Sequence, residues 1–190
     1  MIWRRLLMNI EETLLTVTKY FNDQGIPYVV VGGFAAIVWG RVRTTYDIDI
    51  IIDHKKLDVK RFIHFLTSKG LSAKEYEITQ AFAENSHSTI FVMEKPFYRI
   101  DLRGIYTTED REAISTAKKV KYKDQAIFFS SPENLIAHKL KFGSERDLED
   151  AEVIFLAQKA SLNMDYLHAL CKRLNVTEKL DEFLKLNEEE

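Results

Sequence analysis

Three acidic residues of this chain have the spacing of a cation-binding site. Asp47 and Asp49 alternate with isoleucine at the start of DIDIIID, a pattern typical of a strand with one polar face. Side chains two residues apart on a strand point the same way, so these carboxylates would lie about 6.6–6.8 Å apart on one face. Asp101 stands between apolar residues in YRIDLRG, on a later predicted strand. A neighbouring strand at about 4.8 Å would bring it beside the first pair.

Carboxylates grouped in this way favour chemistry with a divalent cation. On a half-buried sheet face they would repel one another, and their desolvation would be costly if they stayed unpaired. Mg²⁺ prefers oxygen ligands and usually binds substrate phosphates as well, and two-metal sites hold their ions about 3.5–4 Å apart. The alternative is a solvated sheet face, which the D-x-D pattern alone would favour. Asp53 ends the same strand, where a helix-capping or loop role explains it better.

Two glycines follow the first predicted strand. Gly32 and Gly33 separate the apolar run YVVV from a short helical stretch, FAAIVWG. Residues without a Cβ let the backbone turn sharply and bring N–H groups close to a ligand, and the start of a helix suits phosphate. An ordinary tight strand–helix turn is the simpler explanation when the pair is taken alone. The sequence lacks the lysine of a P-loop and the G-x-G-x-x-G of dinucleotide-binding folds.

The elements that must position these residues form a mixed α/β half followed by helices only. Asn9 and Glu12 have capping-box spacing at the start of the first helix, which Gly25 ends. Later elements are predicted as strands at 28–31, 47–53, 88–94, 97–103 and within 119–129, with a turn at Lys95–Pro96, and as helices at 55–69, 73–86, 108–118, 132–142, 146–159, 164–174 and 177–187. We therefore predict an α+β fold with a small mixed sheet flanked by helices, in a domain at 1–130, and an all-helical C-terminal lobe at 131–190.

Composition excludes several classes of protein. The chain has 190 residues, 46% of them apolar, and a net charge of −2, so it can form a core and has no overall attraction to nucleic acid or membranes. Its single cysteine, Cys171, excludes an intramolecular disulfide framework. The apolar stretch after Arg4 and Arg5 is too short for a signal peptide. We expect a cytoplasmic protein with no membrane contact and no sequence-specific DNA binding.

The combined pattern is more specific than its parts. An apolar strand, Gly32–Gly33, a gap of 13 residues, Asp47-Ile-Asp49 and a later isolated Asp101 resemble the polymerase-β-like nucleotidyltransferase superfamily. The segment SPENLIAHKLKFGSERDLEDAEVI is similar to the helical region of the abortive-infection and toxin–antitoxin branch, in which a lysine-bearing helix precedes an Arg-Asp-x-x-Asp helix.

The resemblance implies a Mg²⁺-dependent enzyme that transfers a nucleoside monophosphate from an NTP to an acceptor hydroxyl and releases pyrophosphate. Asp47, Asp49 and Asp101 would be the metal ligands and catalytic residues, and Asp101 would help to deprotonate the acceptor. Backbone N–H groups near Gly32 and Gly33 would bind the phosphates.

Further nucleotide contacts would come from Arg43, Lys139 and Arg146, with the helical lobe completing the cleft. Each has a simpler alternative. Arg43 is otherwise a solvated loop charge, Lys139 a surface side chain with an apolar stem, and Arg146 one half of an i,i+4 ion pair with Asp150.

The acceptor is open at this stage. RNA such as tRNA or a partner protein is favoured by the toxin-like C-terminal segment, which also suggests a cognate antitoxin or toxin. A small molecule of the aminoglycoside type is an alternative. A second alternative is a non-catalytic module of the same fold that senses a nucleotide or binds a partner. A third, an acidic-faced structural protein, requires Asp101 to lie away from Asp47 and Asp49.

Overall fold

The computed structural model describes residues 9–93 and 95–188. The amino-terminal segment with Arg4 and Arg5 lies outside these residues. Strands are β1 (Tyr28–Val31), β2 (Asp47–Ile52), β3 (Leu71–Ser72), β4 (His87–Val92), β5 (Lys95–Gly104), β6 (Lys118–Tyr122) and β7 (Gln125–Phe129). Helices are α1 (Ile10–Gln24), α2 (Gly32–Val38), α3 (Val59–Ser68), α4 (Glu75–Ala83), α5 (Thr108–Ser115), α6 (Pro132–Phe142), α7 (Glu145–Gln158), α8 (Met164–Arg173) and α9 (Thr177–Glu188). Single 3-10 turns occupy His54–Lys56 and Lys159–Ser161.

All the strands found in the described residues join one mixed sheet. Their order is β3-β4-β5-β2-β1-β7-β6. The pairs β2–β5 and β1–β7 are parallel, and the other neighbours are antiparallel. The predicted α+β class with a mixed sheet and flanking helices is confirmed. In the part of the chain that is described, we find no helix with the length and apolar character needed to cross a membrane.

Alternating side chains on β2 place the strand between a buried and a partly open face. Ile48, Ile50 and Ile52 are fully buried, whereas Asp47 and Asp49 are only partly buried. Burial of the three isoleucines fixes the register, because a slip of one residue would bring them to the other face. The core therefore determines which way the two carboxylates point.

The first helix has the predicted ends. Asn9 Oδ1 accepts from the Glu12 N–H at 2.8 Å, and Glu12 Oε2 accepts from the Asn9 N–H at 3.2 Å, so the capping box is present. Gly25 ends the helix at φ +64°. Phe21 on this helix is fully buried and packs its ring against Tyr28 and Phe62.

Several predicted boundaries were wrong. The helix expected at 55–69 begins at Val59, because Asp58 caps it by accepting from the Arg61 N–H at 3.0 Å. Asp53 precedes the 3-10 turn without capping it through its side chain. The turn expected at Lys95–Pro96 lies earlier, since both residues belong to β5. The two-residue strand β3 was not predicted, because so short a segment carries no alternation.

The chain forms two compact units, each built from two separate segments of the sequence. The first contains the chain up to Phe34 together with Thr44–Phe129, and the second contains Ala35–Arg43 with the chain from Ser130 onward. The sequence-based domain limits stay a prediction. Ala35–Arg43 is grouped with the helices that follow Phe129. Trp39 explains it, because its indole N–H donates to the Ser130 carbonyl at 2.7 Å and its own carbonyl accepts from Gln158 at 3.3 Å.

Candidate active site

The carboxylates identified from the sequence converge on one face of the sheet in the first unit. In the parallel pair β2–β5, Asp49 lies directly opposite Asp101 and Asp47 lies opposite Arg99. On the other side of β2, Asp49 is opposite Val31, the last residue of β1. Residues opposite each other on paired strands share a face, so the three acids form one cluster. The interpretation that required Asp101 to lie elsewhere is thereby excluded.

Gly32 leaves space that the Asp49 carboxylate fills. A Cβ at position 32 would lie 2.1 Å from Asp49 Oδ2, so any other residue there would force the carboxylate to move. The residue also has φ +66°, in the left-handed region that favours glycine. Glycine is therefore required here by a carboxylate as well as by a turn. The phosphate-binding role inferred for Gly32 and Gly33 stays a prediction.

Neutral hydroxyls and a guanidinium hold the other two carboxylates. Asp47 Oδ1 accepts from Thr45 Oγ1 at 2.7 Å, and Asp101 Oδ1 accepts from Thr89 Oγ1 at 2.8 Å. Arg99 donates from Nη2 to Asp47 Oδ2 at 3.0 Å and from Nε to Asp101 Oδ2 at 3.2 Å. Among the hydrogen bonds observed in the described residues, none reaches the Asp49 carboxylate.

The electrostatics of the cluster single out Asp49. Burial, followed by the charges of Asp47 and Asp101, raises the pKa of Asp49 to about 6, although Arg99 and His87 act in the opposite direction. At neutral pH this carboxylate is ionised in an environment that disfavours its charge. A cation bound at the cluster would relieve that penalty.

Arg99 and Thr89 were not predicted from the sequence. Arg99 was detectable, because the alternation in Arg99-Ile100-Asp101 puts the guanidinium on the face of the carboxylate. Thr89 was not, since its position depends on how β4 aligns with β5, where it lies opposite Asp101.

The donor set is chemically suited to Mg²⁺. Three carboxylates from two adjacent strands offer hard oxygen ligands on one face, and burial together with the charges of Asp47 and Asp101 raises the pKa of Asp49 there. Within the described ranges, no three acidic, histidine or cysteine side chains are arranged around a common ion position. The contacts of Arg99 with Asp47 and Asp101 offer a physical reason, since they direct these carboxylates toward a guanidinium.

Two of the three basic residues inferred for nucleotide binding, Arg43 and Lys139, belong to a different cluster, in the second unit. Asp150 is fully buried, accepts from Arg43 Nη1 at 2.9 Å and Arg41 Nε at 3.0 Å, and forms an ion pair with Lys139 Nζ at 2.7 Å. Lys139 also contacts Asp147 at 3.1 Å.

These contacts change how two of the residues are understood. Lys139 and Arg43 are internal ion-pair partners rather than solvated surface charges, with side chains 9% and 15% exposed. Arg146 is exposed and takes part in none of the ion pairs observed in the described residues, so the pair expected between Arg146 and Asp150 does not form. Nucleotide contacts by Arg43, Lys139 and Arg146 stay predictions.

Comparison with known proteins gives the fold a name. No protein-family model and no curated protein matches the sequence. Among solved structures, ANT(2")-Ia in complex with adenylyl-2"-tobramycin matches with a TM-score of 0.55 and 14% identity, over 86% of this chain and 95% of that one. The lincosamide antibiotic adenylyltransferase LnuA with lincomycin bound matches with a TM-score of 0.51 and 21% identity, over 76% of this chain and 95% of that one.

A third match is an antigenic nucleotidyltransferase-like protein from Paracoccidioides brasiliensis, with a TM-score of 0.53 and 14% identity over 93% of this chain and 92% of that one. Structural matches at such low sequence identity establish the fold only. The chemistry must be argued from the residues of the site. The chain has the fold of the nucleotidyltransferases, with three carboxylates clustered on its sheet beside a glycine turn.

Proposed function

We propose that the protein is a nucleotidyltransferase that moves a nucleoside monophosphate from an NTP to an acceptor hydroxyl. One observation carries the proposal: Asp49 and Asp101 lie opposite each other on paired strands, with Asp47 on the same face and Gly32 against Asp49. A cluster with this excess of negative charge is unfavourable in a folded protein unless a cationic ligand binds there.

The reaction exchanges a phosphoanhydride bond of the NTP for a phosphate ester of the acceptor. The acceptor oxygen forms a bond to the α-phosphorus, the bond from that phosphorus to the bridging oxygen breaks, and pyrophosphate leaves. Asp47, Asp49 and Asp101 would hold Mg²⁺, which when bound neutralises charge on the phosphates and favours the ionised acceptor. Asp101 would help to take the hydroxyl proton. Thr45 and Thr89 orient their carboxylates through hydrogen bonds.

The acceptor we propose is RNA such as tRNA, or a protein partner of a toxin–antitoxin pair. The support is the resemblance of the segment from Ser131 to Ile154 to the helical region of that branch. Two of the structures with this fold are described with tobramycin and lincomycin products or ligands, so an antibiotic acceptor belongs in the same assay.

The test is label transfer from each α-labelled NTP in the presence of Mg²⁺. Total RNA, lysate protein, tobramycin and lincomycin are supplied as separate acceptors. We expect transfer to one acceptor class, reduced at least about 100-fold in Asp47→Asn, because a charged group that acts in the transition state is lost. Asp53→Asn is the matched control, since Asp53 follows the same strand and lies outside the cluster, and it should retain activity.

Two results would contradict the proposal. Stabilisation by Mg·NTP without transfer to any acceptor would instead identify a nucleotide-sensing module. If Mg·NTP neither stabilised the protein nor supported transfer, the cluster would not be a nucleotide-binding site.

A further inference from the structure

Arg99 bridges two of the three carboxylates of the cluster. It lies opposite Asp47 across the β2–β5 pair, and its guanidinium joins Asp47 on one strand to Asp101 on the other. Its own side chain is 43% exposed. A long side chain with that exposure can leave the cluster without any change in the backbone.

The two Oδ2 atoms are the ones that Arg99 contacts. The Oδ1 atoms of Asp47 and Asp101 already accept from Thr45 and Thr89. Those hydroxyls are neutral, so they can remain as orienting groups when a metal binds the same carboxylates. A guanidinium cannot, because its charge would repel a divalent cation held by the same oxygens.

The displaced guanidinium would need a new anionic partner. Arginine is always charged at physiological pH, and its planar fork matches the geometry of phosphate oxygens. Metal alone would have to break both ion pairs of Arg99 and leave that charge without a partner. When metal binds together with a triphosphate, the metal replaces Arg99 at the carboxylates, and the triphosphate becomes the new anionic partner of the Arg99 guanidinium.

We propose that Arg99 is an exchangeable counter-ion that couples metal binding to triphosphate binding at this cluster. The inference rests on the proposed function and specifies how the same site is regulated: free divalent metal binds weakly, and metal and triphosphate bind cooperatively. Such coupling is reciprocal, so each ligand strengthens the binding of the other by the same factor.

Arg99→Gln tests this through two affinities that should move in opposite directions. Free Mn²⁺ is titrated and followed by electron paramagnetic resonance, and binding of inorganic tripolyphosphate is measured by calorimetry in excess Mn²⁺. Tripolyphosphate makes the test independent of base preference. We expect Mn²⁺ alone to bind about tenfold more tightly to the variant, because the guanidinium that competes for Asp47 and Asp101 is lost. Tripolyphosphate with Mn²⁺ should bind several-fold more weakly.

Controls separate coupling from general damage. Arg111→Gln removes the same charge from an exposed residue on α5 and should leave both affinities unchanged. Arg99→Lys keeps the charge without the bidentate fork and should give an intermediate Mn²⁺ affinity. It also serves if Arg99→Gln does not fold, which thermal unfolding of the metal-free protein would reveal.

The outcomes distinguish this inference from the proposed function. If both ligands bind and Arg99→Gln shifts the two affinities in the same direction, or leaves them unchanged, the exchange is refuted and the transferase proposal stands. If neither wild type nor variant binds Mn²⁺ in either form, the proposed function fails, and the inference fails with it.

Discussion

Two aspartates in this chain, Asp150 fully buried and Asp49 partly buried, have opposite surroundings. Asp150 in the second unit is fully buried and receives three cationic side chains, from Arg41, Arg43 and Lys139. Asp49 in the first unit lies between two other carboxylates and has a pKa raised to about 6 by burial and their charges. The chain thus neutralises one buried acid internally and leaves the other undercompensated.

The difference separates a structural role from a ligand-binding one. A buried carboxylate with internal partners stabilises a fold only through them, and removal of either side leaves an unpaired charge. A buried carboxylate among like charges opposes folding, and groups of this kind concentrate at functional sites. Asp150 is therefore expected to be needed for stability, and Asp49 is expected to reduce it.

The largest effect should follow from breaking the Asp150 cluster. Asp150→Ala leaves three cations without their shared partner, and we expect a loss of about 3–5 kcal/mol in the free energy of unfolding. Urea denaturation measures this loss, and Glu149→Ala provides the control. Glu149 also pairs with Arg41, but its side chain is 52% exposed, so its loss should stay below about 1 kcal/mol. Equal losses in the two variants would refute the structural role.

Replacing Asp49 should have the opposite sign and depend on pH. Because the folded-state pKa of about 6 lies above the ordinary 3.8, the folded protein binds this proton more tightly. Stability therefore falls as the pH rises through that interval, and the full penalty is present above pH 6. Asp49→Asn removes it, so the variant should be about 2–3 kcal/mol more stable than wild type at pH 7.5 and similar near pH 3.5.

Chemical denaturation from pH 3.5 to 8 in a chelator would measure this difference. Saturating Mg²⁺ should reduce the stability difference between Asp49→Asn and wild type, since the bound cation relieves the repulsion among the carboxylates in wild type. A difference that stays constant with pH would show that Asp49 is not the group responsible.

The smallest stability effect, and the sharpest comparison, comes from two glycines with nearly equal backbone angles. Gly25 has φ +64° with nothing within 4 Å of its missing Cβ, whereas Gly32 has φ +66° with Asp49 in that space. Each alanine variant should lose about 1–2 kcal/mol from the left-handed backbone. Gly32→Ala should lose more than Gly25→Ala, because its Cβ must also displace the Asp49 carboxylate. Only Gly32→Ala should also weaken Mn²⁺ binding and label transfer, because it moves the carboxylate. If Gly25→Ala also weakened Mn²⁺ binding and label transfer, backbone strain alone would explain the losses in Gly32→Ala.

Local features of the fold were predictable because they depend on neighbours in the chain. The capping box of Asn9 and the alternation of β2 follow from short-range spacing, and both are present. The register that places Asp101 opposite Asp49 was only an expectation, since strand order depends on packing between distant segments. The arginine partners of Asp150 could not be predicted, because Arg41 and Arg43 precede it by 109 and 107 residues.

The membership of Ala35–Arg43 in the second unit has a consequence for how such a chain could be inherited or engineered. Exchange of the C-terminal helices at residue 130 between relatives would separate Asp150 from the two arginines that precede β2. A chimera made in that way would carry a buried acid from one parent and its counter-charges from the other. Successful recombination must transfer Ala35–Arg43 together with the C-terminal helices, because the two segments form one discontinuous unit.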